Sequence, residues 1–408
     1  MPRSSTSPSR STAPADRVPV LTGLRQLKMA RSAHAFVRGN TRQFYTWLEQ
    51  AGRSLPQGPT LWICGDCHVS NIGPVADREG EIDIQVRDLD QAVLGNPAHD
   101  IVRLAVSLAT AARGSDLPGV VTTRMVEELI EGYERAMGGG RKILRIVERP
   151  DSMRVVMKAA MKRRWKHLAR ERMNGTHPII PEGRRFWPVT AAEEAELHAL
   201  TASEGMRQLV TRMIHRDDAA ALELVDAKYW VKGCSSLGRL RYALLVRVLT
   251  PGQRDELCLV DVKEAIAAAA PSTAPGDMPA DNAERVREGA VHLAPNLGER
   301  MLTGRIGGRT VFVRELRPQD LKIDLEQLDE RQAMEVARYL GNVVGRGHAR
   351  QLTWKLRKAW LAELSRNRPQ SIAAPSWLWR SVVELVAAHE AAYLEHCRKF
   401  AHHIGPDD

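Results

Sequence analysis

Ile63-Cys64-Gly65-Asp66-Cys67-His68-Val69-Ser70-Asn71, followed by Val86-Arg87-Asp88-Leu89-Asp90, decides how this chain is read. The two runs carry one carboxylate, an amide five residues on, and two further carboxylates. Such groups suit a metal-bound phosphate, because phosphoryl transfer asks the protein chiefly for positioning and for neutralisation of charge. An Asp beside an acceptor orients a hydroxyl and takes its proton, while an Asn and a second Asp offer hard oxygen ligands to Mg²⁺. Asp66, Asn71 and Asp88 fit those three roles. The plain alternative is a polar turn between two strands, where Asp and Asn recur for local hydrogen-bonding reasons.

The same residues satisfy C-x-x-C-H, the attachment pattern of c-type haem, and C-x-x-C alone suits a redox or zinc pair. Context argues against each. The N-terminus has no continuous apolar stretch of the kind a signal peptide carries. Cys234, Cys258 and Cys397 are isolated, so no second pair completes a zinc site.

Composition sets outer limits. A chain of 408 residues suits two lobes or domains. Its 43% hydrophobic and 26% charged content is that of a globular protein. Irregularly spaced cysteines imply a reducing compartment. No apolar stretch approaches the length of a bilayer span, so no membrane association is expected and a cytoplasmic location is the default. A formal net charge of +10 favours anionic partners such as nucleotides, phosphorylated metabolites or nucleic acid.

Residues 1 to 20, rich in Ser, Pro and Arg, read as a disordered tail. Apolar positions at helical spacing run from Leu24 to Leu48. Leu61-Trp62-Ile63 reads as a short strand entering the Asp66 loop, and the alternation of Ile82, Ile84 and Val86 as a strand delivering Asp88. Pro97 to Arg113 reads as a helix whose Asp100 and Arg103 brace the loops behind them. Residues 119 to 173 continue as helices, and Thr190 to Glu193 is a capping box. The cations from Lys158 to Arg172 form a solvated face or, more sharply, a docking surface for phosphate-bearing partners.

After Asp218 the pattern turns strand-like: Leu222 to Val225, Tyr242 to Leu249, and Leu257 to Val262. Between the first two lies Lys232-Gly233-Cys234-Ser235-Ser236-Leu237-Gly238, whose glycines and serines let backbone amides approach a phosphate. Lys263 sits in an apolar strand, which is costly unless its ammonium meets an anion. Asp281 to Leu293 is the next helix, Gly307-Gly308 turns a hairpin, and helices from Glu326 to Ala349 and from Trp354 to His403 close the chain.

G-D-x-H-x-x-N followed by D-x-D resembles the catalytic and metal loops of aminoglycoside and choline kinases, within the protein-kinase-like superfamily. The resemblance implies Asp66 as base, Asn71 and Asp88 as metal ligands and Asp90 as a helper. It implies Lys263 on the ATP phosphates with Glu288 as its partner, Gly233, Ser235, Ser236 and Gly238 in the phosphate loop, and Glu315 in the hinge that holds adenine. Cys64 stands where those kinases have His. Because the Asp66 loop precedes the Lys263 strand, the implied fold is α+β, two-lobed, protein-kinase-like and circularly permuted. Residues 21–218 would be a helical catalytic lobe, 219–317 a β-rich nucleotide lobe, and 318–408 a helical segment completing the first. From Lys28-Met29-Ala30 to Gly347-His348-Ala349-Arg350 the ordered motifs also resemble the bacterial family called domain of unknown function 2252, from which Ser235 and Gln91 depart.

The expected activity is an ATP- and Mg²⁺-dependent phosphotransferase acting on a small hydroxyl acceptor. A nucleotide-binding regulator without turnover is the alternative, and a basic nucleic-acid-binding protein using residues 141–172 is a third, less favoured reading.

Overall fold

The computed structural model describes residues 13–51, 54–113, 117–139, 149–162, 179–213, 216–234, 236–317, 328–366, 368 and 374–400. The order is α1 (Pro14–Ala30), α2 (Ala33–Gly39), α3 (Thr41–Ala51), β1 (Leu61–Ile63), β2 (Ile72–Ala76), β3 (Ile82–Val86), β4 (Val93–Gly95), α4 (Ala98–Arg113), α5 (Gly119–Gly138) and α6 (Asp151–Lys162). Then come β5 (Phe186–Trp187), α7 (Ala191–Thr201), α8 (Glu204–Thr211), β6 (Ala221–Trp230), β7 (Arg241–Leu249), β8 (Glu256–Glu264) and α9 (Asn282–Leu293). The chain ends with α10 (Pro295–Gly298), β9 (Met301–Ile306), β10 (Arg309–Leu316), α11 (Glu330–Ala349), α12 (Trp354–Leu364) and α13 (Ser376–Phe400). The architecture is α+β.

Among the described residues the main sheet has six antiparallel strands in the order β5-β6-β7-β8-β10-β9. Side chains alternate across it, as the pleat requires. Leu244, Val246, Val260, Val262, Val311 and Val313 fill one apolar face with Leu197, Met206 and Val210 of α7 and α8. The opposite face starts apolar, with Ala243, Leu245 and Leu259, and becomes charged at Arg241, Asp261, Lys263 and Arg314. That charged end fronts the helical part of the molecule.

The helical core is built on α4, α5, α11 and α13, with β1–β4 and α9 against it. Gly132 and Gly341 allow α5 and α11 to touch backbone to backbone: a Cβ on Gly132 would strike the Arg338 carbonyl, and one on Gly341 the Leu129 carbonyl. Two short ribbons, β1-β4 and β2-β3, hold the segments on either side of Asp66 and Asp88. No helix of the described residues is long and apolar enough to cross a membrane.

The strands expected at 222–225, 242–249 and 257–262, the Gly307-Gly308 hairpin and the Thr190 capping box are all present. The disordered tail expected over residues 1–20 is overturned from Pro14 onward. Pro14 opens α1 and Arg17 and Leu21, one turn apart, are both buried. Leu21 joins the apolar face of the sheet, while Arg17 pairs with Glu193 at 2.6 Å. Burial pushes the Glu193 carboxyl up, but the Arg17 hydrogen bond, the Thr190 backbone and Tyr242 outweigh it and hold it below its ordinary range. Arg17→Ala should therefore cost about 3 kcal/mol in urea unfolding, the usual scale for breaking a buried pair. Since the folded carboxyl is depressed, the pair's contribution is complete above the ordinary Glu value and fades as pH falls through the lowered one. Glu193→Gln should flatten that acid limb; an unchanged acid limb would show that Glu193 does not titrate in this way.

Candidate functional site

The site begins with a strand that ends and a backbone that must be caught. After β1 the chain turns at Gly65, at φ +72°, where a Cβ would strike the Gln91 carbonyl. The buried N–H groups of Cys64 and Gly65 donate to Asp100 at 2.7 and 3.0 Å. Asp100 is itself fixed by His348 Nε2 at 3.2 Å. Behind it, Trp360 Nε1 donates to the Tyr133 hydroxyl, which lies 3.0 Å from His348 Nδ1. If Tyr133 donates to Nδ1, the imidazole carries its proton on Nε2 and donates to Asp100, satisfying every member of the chain. The Tyr45 hydroxyl closes the other side by donating to the Gly65 carbonyl.

The face of α4 does the same for the residues that follow. Asp100, Arg103 and Ser107 fall at helical spacing. Arg103, fully buried, holds Asp66 Oδ1 at about 3 Å through Nε and Nη2 and donates to the Val37 carbonyl at 2.6 Å. Ser107 accepts the Val69 N–H. One guanidinium thus ties Asp66 to the last turn of α2. Both braces expected on this helix are formed.

Asn71 uses its Nδ2 to bond the carbonyls of Asp66, at 3.3 Å, and Asp88, at 2.8 Å. Its Oδ1 has no hydrogen bond among the described residues. The Asp88 loop is pinned by Arg314, which donates to the Arg87 carbonyl, and by Arg285 of α9, which donates to the carbonyls of Asp90, Ala92 and Ile266. Lys263, 3% exposed on β8, reaches across to both aspartates, 3.2 Å from Asp88 Oδ1 and in an ion pair with Asp90. Burial and the neighbouring Asp88 charge push the Asp90 carboxyl up to about 6. Burial acts on Asp88 too, but Lys263, Asp90, Arg314 and Arg241 outweigh it and hold its carboxyl far below the ordinary range. Among the described residues Asp90 Oδ1 is buried without a hydrogen-bond partner.

Asp66, Asn71, Asp88 and Asp90 line one cleft of about 700 Å³, whose walls also include Arg42 and Arg239. The sheet side of it is held by Asp261, fully buried, which takes a bidentate pair from Arg241 at 2.8 and 2.6 Å and a longer contact from Arg314. Burial raises the Asp261 carboxyl and the two guanidiniums outweigh it, so it stays ionised.

The profile of the family described as "Uncharacterized protein conserved in bacteria (DUF2252)" matches residues 17–399. The chain belongs to this family. No curated protein and no solved structure matches it. The family description carries no activity, so the chemistry rests on the residues themselves.

Several expected site residues lie elsewhere. Glu288 is paired with Arg287, and the helix face turned to the cleft presents Arg285 instead. Lys263 meets its countercharge in Asp88 and Asp90, which leaves it no need of a glutamate. Glu315 is bound by Arg216 at 2.7 and 3.1 Å, and its carbonyl already accepts from Arg300, so it does not offer a free hinge. Gly233 and Gly238 have φ of +90° and +92°, as a tight turn demands, but the loop packs on α1. Lys28 donates to the Gly233 carbonyl, and Ser236 donates to Lys232 within the turn. The cleft's wall reaches this segment at Arg239. Ser235 lies outside the described residues, as does most of the basic stretch 158–172.

Sequence reasoning missed Asp261, Arg285, Arg314 and the role of His348. A charged residue at alternate positions of an apolar strand is a signal for Asp261 as it was for Lys263; nothing local marks Arg285 or His348. Cys64, Cys67 and Asp100 bring two sulfurs and a carboxylate oxygen within 4.8 Å of one another. The carboxylate is already committed to two backbone N–H groups and His348, and the hydrogen bond to Cys67, together with burial, pushes the Cys64 thiol well up. The trio therefore acts as the brace of the Asp66 turn. Asp100→Ala should lower the unfolding free energy by about 3 kcal/mol, because two buried N–H groups lose their acceptor; a loss below about 1 kcal/mol in urea titration would contradict that role.

Proposed function

We propose that this protein is an ATP- and Mg²⁺-dependent phosphotransferase acting on a hydroxyl acceptor. The observation that carries the reading is the meeting of Asp66, Asn71, Asp88 and Asp90 at one cleft, the last two paired with Lys263, although Lys263 is 175 residues from Asp88 in sequence. The kinase-like, permuted arrangement belongs to the same proposal.

The donors suit a hard divalent cation. Asn71 Oδ1, Asp88 and the unpartnered Asp90 Oδ1 are oxygens, the ligand type Mg²⁺ prefers. Bound there, the metal would supply charge neutralisation on phosphate oxygens. Asp66, held in place by Arg103, orients the acceptor hydroxyl and takes its proton through the carboxylate oxygen that Arg103 leaves free. Lys263 supplies a buried ammonium to the transferred phosphate's oxygens, and Asn71 keeps the Asp66 and Asp88 loops at a fixed separation. A nucleotide-binding regulator without turnover is the second reading, favoured by the commitment of Lys263 to both aspartates and of Glu315 to Arg216 and Arg300.

Melting in the presence of ATP and Mg²⁺ tests both readings. A ligand at about 100 times its Kd stabilises the folded state by about 2.7 kcal/mol, so a clear rise in Tm is expected, dependent on Mg²⁺ and lost in Lys263→Ala and Asp88→Asn. Asp66→Asn should keep the rise yet lose ADP release by on the order of a hundredfold or more. Full turnover in Asp66→Asn would reject the base, a rise without any ADP release in the wild type would favour the regulator, and no rise would reject both.

A further inference from the structure

The cleft holds more positive charge than its own carboxylates answer. Asp66 is taken by Arg103, and Asp88 and Asp90 by Lys263. Arg25 of α1, Arg42 of α3 and Arg239 before β7 line the same cleft. Among the described residues Arg25 and Arg42 have no carboxylate partner, and Arg239 has only Asp90 at a long 3.8 Å. Arg25 donates through Nη2 to the Gly39 carbonyl, while its Nε is buried without a partner. Burial, and then the neighbouring Arg239 and Arg42 charges, hold the Arg25 guanidinium below its ordinary value, although Cys234 opposes them. Three like charges gathered at a rim repel one another and are tolerated best when an anion lies between them.

Their position in the cleft says which anion. Arg103 binds Asp66 and the Val37 carbonyl together, so the α2–α3 corner is fastened beside the proposed base. Arg42 lies one turn before Tyr45, whose hydroxyl holds the Gly65 carbonyl. Lys263 and its aspartates occupy the sheet side. Arg25, which donates to the Gly39 carbonyl, and Arg42 thus gather at the corner beside Asp66, where the acceptor hydroxyl would be placed, while Arg239 stands between that corner and Asp90. Guanidiniums bind phosphate through paired N–H donors, and the cations Arg25, Arg42, Arg103, Arg239 and Lys263 exceed the carboxylates Asp66, Asp88 and Asp90 by two charges, which matches a dianion better than a single carboxylate.

We infer that the acceptor is itself a phosphorylated hydroxyl compound, whose phosphate is gripped by Arg25, Arg42 and Arg239 while its hydroxyl faces Asp66. This rests on the phosphotransferase reading above and adds the substrate class to it. The step balances simply: the acceptor oxygen bonds to the γ-phosphorus, the bond from that phosphorus to the β,γ-bridging oxygen breaks, ADP leaves, and the hydroxyl proton passes to Asp66. The acceptor's own phosphate is unchanged.

Inorganic phosphate is the probe. It is titrated calorimetrically into the full chain saturated with a non-hydrolysable ATP analogue and Mg²⁺, beside Arg42→Gln and Arg25→Gln. Expected are phosphate binding to the nucleotide-bound protein, a weakening of about tenfold or more in each variant, and unchanged affinity for the analogue. Arg42 is exposed, so its variant reports binding free of any folding defect. Phosphate binding that the analogue abolishes would overturn the inference by assigning the arginines to the nucleotide's own phosphates. So would equal binding in wild type and variants, or none at all. If the analogue fails to bind while phosphate still binds through Arg42, the nucleotide reading falls and the anion site stands, so the two failures are read separately.

Discussion

A buried ammonium held between two carboxylates is the constraint on which this molecule turns. Lys263 leaves β8 at the face where the sheet meets the helical core, and an unpaired charge there would cost several kcal/mol. Its partners, Asp88 and Asp90, belong to a loop from a distant part of the chain. The sheet and the helical core are therefore joined where those three groups meet, and the surroundings hold the loop to that place. Arg285 gathers its carbonyls, Arg314 holds Arg87, and Asp261 pairs with both Arg314 and Arg241.

The Asp66 turn is held by a second device, independent of the first. One face of α4 offers Asp100, Arg103 and Ser107 in succession, each meeting a different part of the loop. Asp100 satisfies backbone donors that a turn cannot satisfy by itself, and the His348, Tyr133 and Trp360 chain fixes its orientation. The two devices meet at Asn71, whose amide bonds both loops and whose backbone carbonyl accepts the Arg87 N–H, and at Cys64, whose thiol donates to the Asp88 carbonyl. Several short ties between the loops suit a site that has to present several oxygens to one small volume.

Much of this was legible because it is local. Period-two alternation in Leu257 to Val262, the glycine pair at 307–308 and the capping box at Thr190 are short-range signals, and the structure carries all three. Asp100 and Arg103 were legible as braces because they project from a helix that directly follows the loops they serve. The misreadings are equally physical. Residues 14 to 20 look like a tail because they continue a Ser-, Pro- and Arg-rich run with two further prolines, yet Arg17 and Leu21 are held by Glu193 and the sheet core, far along the chain. Glu288 and Glu315 were expected near the cleft by analogy, but the choice of partner among several nearby arginines is a long-range matter.

By itself the sequence determined the type and order of the main elements, the family, and the unusual residue set of the Asp66 and Asp88 loops, because periodicity, turn chemistry and residue type act over a few residues. The tertiary structure alone decided which charges meet. Lys263 goes to Asp88 and Asp90 instead of Glu288, Glu315 goes to Arg216, and Arg25, Arg42 and Arg239 are left together at one rim. Electrostatic pairing in a low-dielectric interior is settled by distance and burial across the whole fold, and neither quantity is written in any local stretch of the chain.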